Sequence, residues 1–330
     1  MTVGLRDVEP SPDVFAAVMA TGILSIGAHN HHYVWISETL GVIATLGLVI
    51  LAALVVVAAV SRRGIAFWDL TDPDVTLRLF TFAAACAVLD SRLEHHRVVV
   101  RILGAIALSS WLVLSVLTAR NMSRRGWTAL RDHAHGAWEL ASVGTSGLAI
   151  VTAQAAHYSG QPVWLAIAVP IWVVALCIYG LMTWLIMWRT VHERLDRDGF
   201  EPDDWILMGA LAIATLAGDN IYQLAPDWMV GAVRLVTVVT WVVASLWIPP
   251  LIYFVLHRVN QRPGILQFAG VWWSLVFPLG MYSVATDATA AELGVRSLQT
   301  VSLVFFWNAL AAWLIVVLAG LLRFRRVFLR

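Results

Sequence analysis

The chain contains no lysine. All 22 of its basic residues are arginine, which excludes a phosphate-loop lysine, a pyridoxal or retinal Schiff base and a lysine general base. Charge of either sign is scarce: Asp, Glu, Lys and Arg make up 13% of the residues, against roughly 25% in soluble domains. The two cysteines, Cys86 and Cys177, lie inside apolar runs, leaving no disulfide framework and no cysteine-based metal site. A net charge of +1 offers nucleic acid no electrostatic attraction, and none is expected as a partner. What the chain has instead is apolar bulk. It is 60% hydrophobic over 330 residues with 17 tryptophans and a mean hydropathy of +0.77. This is the composition of an integral membrane protein.

A membrane-crossing helix needs about 20 mostly apolar residues. Ten segments qualify, approximately 12–30, 36–60, 75–92, 97–119, 136–157, 161–188, 203–224, 228–256, 264–286 and 298–322, within a single transmembrane domain covering 1–330. The first dozen residues carry Arg6, Asp7, Glu9 and two prolines and so do not form the apolar core of a cleavable signal peptide. Sixteen of the 22 arginines fall at the termini and in the connections after even-numbered spans, five fall on the opposite side, and Arg78 sits inside the third span. Positive charge stays inside. The expectation is an all-α, multi-pass protein of the plasma (inner) membrane with both termini in the cytoplasm.

The spans alternate in character. Even spans are rich in large apolar residues; odd spans carry Ala, Gly, Ser and Thr. Small residues permit close helix approach, and hydroxyls need internal partners because lipid supplies none. Two readings follow: small residues marking contacts in a solid bundle, or five odd spans forming an inner ring around a central pore with even spans facing lipid. On the second reading, the helical period groups Phe15, Met19, Gly22 and Ser25; Glu139, Ser142 and Ser146; Thr215, Gly218 and Asp219; and Gly270, Trp273, Phe277 and Met281 on single faces. The expected pore lining is therefore Phe15, Met19, Gly22, Ser142, Ser146, Thr215, Gly218 and Trp273.

Two stretches, SPDVFAAVMATGILSIGA and VWWSLVFPLGMYSVAT, resemble the tellurite-resistance/dicarboxylate transporter family. That family includes bacterial tellurite-resistance channels, fungal malate and sulfite transporters, and plant slow anion channels. The resemblance rests on Phe15, Met19, Thr21, Gly22 and Ile23 in the first span, and on Trp272, Trp273, Phe277 and Pro278 in the ninth. It implies five helical hairpins about a pseudo-fivefold pore, a homotrimer with one pore per subunit, and a phenylalanine plug that maps to Phe277. The residues themselves are compatible with that role. Phe277 lies halfway along its span, and Pro278, lacking an N–H, frees the Ser274 carbonyl. A hydrophobic constriction gates by excluding water.

Four carboxylates fall within or at the ends of odd spans: Asp90, Glu139, Asp219 and Asp287. Such groups are costly in a membrane and are functional candidates. Glu139 also has a plain account as an acid near a helix N-terminus. Asp219 lies about four turns into its span, with Arg234 at similar depth to neutralise it. A proton or charge role is expected for Glu139 and Asp219. The function that follows is a channel or carrier for small anions of the C4-dicarboxylate, sulfite, tellurite or halide and nitrate class, non-enzymatic, with no catalytic residue, metal or cofactor. The rival class is a metal-binding membrane enzyme or sensor using the outer histidines His29, His31, His32, His95 and His96 with these carboxylates.

Overall fold

A computed structural model describes residues 10–61, 68–94, 96–192, 202–261 and 272–328. Gly270, His95, Arg6, Arg62, Arg63, Arg194, Arg197, Arg262 and Arg330, which entered the sequence reading, lie outside the described residues. The described chain forms twelve α-helices. They are α1 (Ala16–Asn30), α2 (Val34–Ser61), α3 (Pro73–Arg78), α4 (Phe80–Arg92), α5 (Arg97–Ser123), α6 (Trp127–His133), α7 (Leu140–Ser159), α8 (Pro162–His192), α9 (Trp205–Tyr222), α10 (Asp227–Gln261), α11 (Trp273–Leu293) and α12 (Arg296–Phe328). Local chemistry sets several of the boundaries. Asp72 caps α3 by accepting the Asp74 N–H at 3.2 Å, with Pro73 at the first helical position, where a missing N–H costs nothing. Gly160 and Gly294, at φ 64° and 67°, end α7 and α11 in the left-handed conformation that glycine adopts freely.

Five hairpins result: α1 with α2, α4 with α5, α7 with α8, α9 with α10, and α11 with α12. Six helices are long and apolar enough to cross a membrane, namely α2, α5, α8, α9, α10 and α12. The apolar windows of α2, α5, α8, α10 and α12 are only 11–22% buried, whereas that of α9 is 83% buried. The first members of the other four hairpins, α1, α4, α7 and α11, are also lined with buried residues on nearly every side. They fall short of the spanning criterion through length or through dilution by small and hydroxyl residues, the composition that suits a helix surrounded by other helices. The first helix of each hairpin contacts the first helix of the next, α1 on α4, α4 on α7, α7 on α9, α9 on α11, and α11 back on α1.

Glycine accounts for the closeness of this circuit. A Cβ on Gly22 would stand 2.8 Å from Val88 Cγ1, on Gly144 2.9 Å from Phe80, on Gly136 2.3 Å from the Asp203 carbonyl oxygen, on Gly209 2.9 Å from Pro278, and on Gly280 3.0 Å from Ile23. Four of the five contacts between first helices thus have a position where a methyl group would overlap or crowd its neighbour, and at the fifth, α7 with α9, the close approach lies just ahead of the two helices, between Gly136 and Asp203. The second helices are attached differently. Indole N–H groups of Trp111 (α5), Trp172 (α8), Trp241 (α10) and Trp313 (α12) donate to Thr145, the Ala214 carbonyl, Thr286 and Thr21, at 2.8–3.1 Å. A buried indole must find an acceptor. Four outer helices use one to pin the following hairpin's first helix.

Candidate functional site

The circuit of first helices encloses two cavities. The larger, about 300 Å³, lies toward their C-terminal ends, with Ile23 and Ile26 (α1), Val88 and Ser91 (α4), Ile150 and Gln154 (α7), Ile213 and Leu216 (α9), and Met281 and Val284 (α11) among its walls. The smaller, about 10 Å³, has room for about one water. It lies at the N-terminal, arginine-rich end, against Met19, Thr81, Leu140, Ile206, Ser274 and Phe277. Met19 precedes Ile23, and Phe277 precedes Met281, by one helical turn, about 6 Å. On every first helix the two cavities share one stripe: 19, 23 and 26; 81 and 88; 140, 147 and 150; 206 and 213; and 277, 281 and 284. Phe277 and Met19, at 0% and 2% exposed, belong to the closed stretch between them.

The stripe is mostly apolar, with Thr81 and Gly147 in it, and most of the residues expected to line a pore lie elsewhere. Three of the expected residues, Met19, Phe277 and Asp219, face a cavity. Phe15 does not; its ring meets Phe82 edge-on at 4.8 Å and faces a groove between α2 and α5. Gly22 lies against Val88, and Gly218 against Thr237 and Trp172. The Ser142 hydroxyl donates to the Ala175 carbonyl of α8 at 3.1 Å, and that of Thr215 bonds Leu211 and Thr240. Ser146 is fully buried with no hydrogen-bond partner for its hydroxyl. Trp273 packs partly buried at the start of α11, and it is Ser274 that reaches the smaller cavity. Pro278 is buried and packs on Gly209. For Ser142 and Thr215 the physical reason is the same. A hydroxyl in a membrane bundle is satisfied most cheaply by a neighbouring helix, so the polar stripe marks the contact with the outer helices and the large apolar stripe marks the cavities.

The carboxylates separate in the same way. Glu139, fully buried, accepts from Thr183 of α8 at 2.8 Å through one oxygen, while its other oxygen has no partner; it faces the outer helices. Asp219 lines the larger cavity and accepts from Gln223 at 2.9 Å. The expected neutralisation by Arg234 does not occur, since Arg234 pairs with Glu292 at 3.1 Å. Glu94 and Asp287 line the same cavity with Asp219. Arg92 stands among them, its Nε donating to Ser25 at 2.6 Å and its terminal nitrogen to Glu38 at 2.6 Å.

Below Phe277 the smaller cavity opens on a charged cluster that the sequence reading did not assemble. Arg78 binds Asp74 at 2.9 Å and Asp13 at 3.5 Å. His135 donates from both ring nitrogens, to Asp203 at 2.8 Å and Asp74 at 2.6 Å. Burial alone would lower the imidazole pKa, but the Asp203 and Asp74 carboxylates outweigh it and push it up to about 9, so the ring is cationic at neutral pH. Burial raises Asp74 as well, and its bonds to His135 and Arg78 more than offset this, leaving it below the ordinary carboxylate range. The available signal was position: Asp13, Arg78 and Asp203 stand within three residues of the start of a first helix, His135 five residues before α7, and Asp74 in the short helix α3 that leads into α4. Among the described residues, which do not include His95, no three His, Cys, Asp or Glu side chains converge as metal ligands. His31 bonds Ser302 at 3.0 Å instead.

The fold is all-helical among the described residues, with six helices long and apolar enough to cross a membrane. The chain belongs to the voltage-dependent anion channel family, which it matches over residues 10–321, the family its first and ninth spans resemble. Over 324 residues it is 23% identical to the uncharacterized transporter MJ0576 of Methanocaldococcus jannaschii, covering 93% of this chain and 91% of that protein. It is 35% identical over 150 residues to the uncharacterized membrane protein Rv1735c of Mycobacterium tuberculosis, covering 44% of this chain and 75% of that protein. A second archaeal relative, the uncharacterized transporter MJ0762, is 21% identical over 193 residues, 57% of this chain and 55% of its own length.

Proposed function

We propose that the protein conducts small anions across the plasma membrane through a central path between the two cavities, held shut by Phe277. The substrate belongs to the C4-dicarboxylate, sulfite, tellurite or halide and nitrate class. Ten spans form five hairpins about a pseudo-fivefold axis, odd spans inside and even spans toward lipid, with both termini cytoplasmic and three copies assembling as a homotrimer. The observation that carries this reading is the pair of cavities, each walled by all five first helices and parted by one turn that contains Phe277 and Met19. An apolar constriction of that kind stops ions by excluding water.

The stripe suggests how an anion is handled. Arg92 meets it in the larger cavity and Arg78 meets it at the far side of the constriction. Between them the anion crosses Ile, Leu, Val and Met side chains that bind it weakly, as rapid passage requires. Asp219, in the wall of the larger cavity, is placed to carry a proton with a weak-acid substrate; Glu139, turned to α8, is assigned a structural role.

The test is flux of a panel of anions into liposomes holding purified protein. Phe277→Ala is expected to raise flux about tenfold or more, equivalent to about 1.4 kcal/mol off the barrier, and Phe277→Leu by less. Unchanged flux in both variants, with native elution and melting, would remove the gate. No anion flux in either the wild type or the variants would remove the transport reading itself.

A further inference from the structure

Outside the circuit of first helices lies a third cavity, a groove of about 440 Å³ between α2 and α5, floored by Phe15, Leu79 and Phe82. Its flanks are Val55 and Val56 on α2, and Ile106 and Val113 on α5; Val56 and Val113 are 60% exposed. The polar residues at its edge turn their hydrogen-bonding atoms away. Ser109 and Ser110 donate back to the Ile106 carbonyl at 3.1 and 2.7 Å, and Trp68 donates to the Pro10 carbonyl at 2.8 Å. The groove therefore offers no hydrogen bond along its length, and only an apolar chain matches it.

Charge identifies the other end of the occupant. Positions 106, 113, 120 and 124 fall on one stripe of α5 at the helical period. The face that walls the groove therefore runs, two to three turns further on, into Arg120 and Arg124. Both are exposed, and neither guanidinium has a partner among the described residues. The neighbouring Arg125 differs, being held by Asp72 at 3.0 Å. An apolar trough ending in two cations without a partner among the described residues, at the arginine-rich side, complements a molecule with a hydrocarbon chain and an anionic head.

We infer that the α2–α5 groove is a binding site for an anionic phospholipid, its acyl chain lying along Phe15, Phe82 and Val113 and its phosphate bound by Arg120 and Arg124. The inference needs only that the bundle sits in a membrane and is independent of what the central path carries. Anionic headgroups attract each basic residue near the surface by about 1 kcal/mol, so two arginines predict a marked headgroup preference while the groove supplies the hold on the chain.

Native mass spectrometry of the full-length protein released from nanodiscs of equal parts phosphatidylglycerol and phosphatidylcholine tests this. The wild type is expected to retain phosphatidylglycerol in excess, and Arg120→Gln and Arg124→Gln each to cut that excess roughly fivefold, the equivalent of about 1 kcal/mol. Val56→Trp, a change at an already exposed position, is expected to fill the groove and lower the total lipid retained without altering the melting profile. Equal retention of the two lipids by the wild type would overturn the site, as would a preference that survives both arginine substitutions. Loss of oligomers in Val56→Trp with lipid retention intact would also overturn it and would give the groove to a second copy of the chain.

Discussion

The two ends of the first-helix circuit carry similar numbers of acids and treat them in opposite ways. At the arginine-rich end Asp13, Asp72, Asp74, Asp203 and Asp204 stand at helix N-termini, where the helix dipole favours negative charge, and Arg78, Arg125 and His135 bind four of the five. At the other end Asp90, Asp219 and Glu292 fall in the last turns of α4, α9 and α11, where the dipole opposes them. Of these, Glu292 has an ion-pair partner, Arg234, whereas both oxygens of the buried Asp90 lack a hydrogen-bond partner and Asp219 has a glutamine. An acid kept where neither the dipole nor a cation stabilises it calls for a reason other than stability. On the proposed function, the first end is a structural clasp and the second a vestibule whose acids are left open to chemistry.

The largest expected effect lies in the clasp. Asp203→Ala removes the acceptor of His135 Nδ1 and of the Ala137 N–H and leaves a buried cation half paired, a loss of about 3–5 kcal/mol, read as a lower melting temperature. A loss under about 0.5 kcal/mol, the range of ordinary surface changes, would erase the distinction between the ends. The second effect is one of pH. The His135 pKa is raised from 6.5 to about 9 in the folded state, so its contribution is complete below the unfolded value and disappears as pH rises through about 9. The difference is worth up to about 3 kcal/mol. Asp74, held low, acts in the other direction, contributing above its unfolded value and failing as pH falls through its folded one. Melting of the wild type is expected to weaken from pH 7 to pH 10, and that of His135→Gln to stay level over the same range.

Much of the fold was legible in the sequence, and the site was legible in part. The five hairpins follow from apolar runs broken by charge, and the inner and outer sorting follows from Gly, Ala, Ser and Thr against Leu, Val and Trp. Phe277, singled out through the family resemblance and its neighbour Pro278, lies in the wall of the smaller cavity. The residues that wall the cavities stand about one position, roughly 100° of helix, from several of those expected, because two of the hydroxyls assigned to the axis, Ser142 and Thr215, bond the Ala175 carbonyl of α8 and Thr240 of α10. Small residues mark helix contacts at Gly22 and Gly218, while Met19 and Phe277 on the same kind of helix face a cavity. No local pattern joins Asp13, Asp74, His135 and Asp203, since their proximity is a product of the closed circuit.

A smaller effect tests the ion pair between Arg234 and Glu292 at the same end. Arg234→Gln leaves the Glu292 side chain, 1% exposed, with a neutral partner. Because Arg234 is itself half exposed, a loss of about 1 kcal/mol is expected, well below that of Asp203→Ala. An equal loss would mean that both ends are clasps.

The smallest change in stability is expected at Asp219, and the most informative change in function. Asp219 accepts a single side-chain hydrogen bond, from Gln223, and Asn keeps an acceptor in that place, so Asp219→Asn should melt within about 0.5 kcal/mol of the wild type. If protons travel with a weak-acid substrate through this carboxylate, anion uptake by the wild type rises as external pH falls, and the Asn variant loses that slope while retaining flux at neutral pH. A slope that survives in Asp219→Asn leaves Asp287 and Glu94 as the remaining carboxylates of the same cavity. A slope absent from the wild type makes the vestibule a passive mouth, and its acids then serve to slow anions that Arg92 has drawn in.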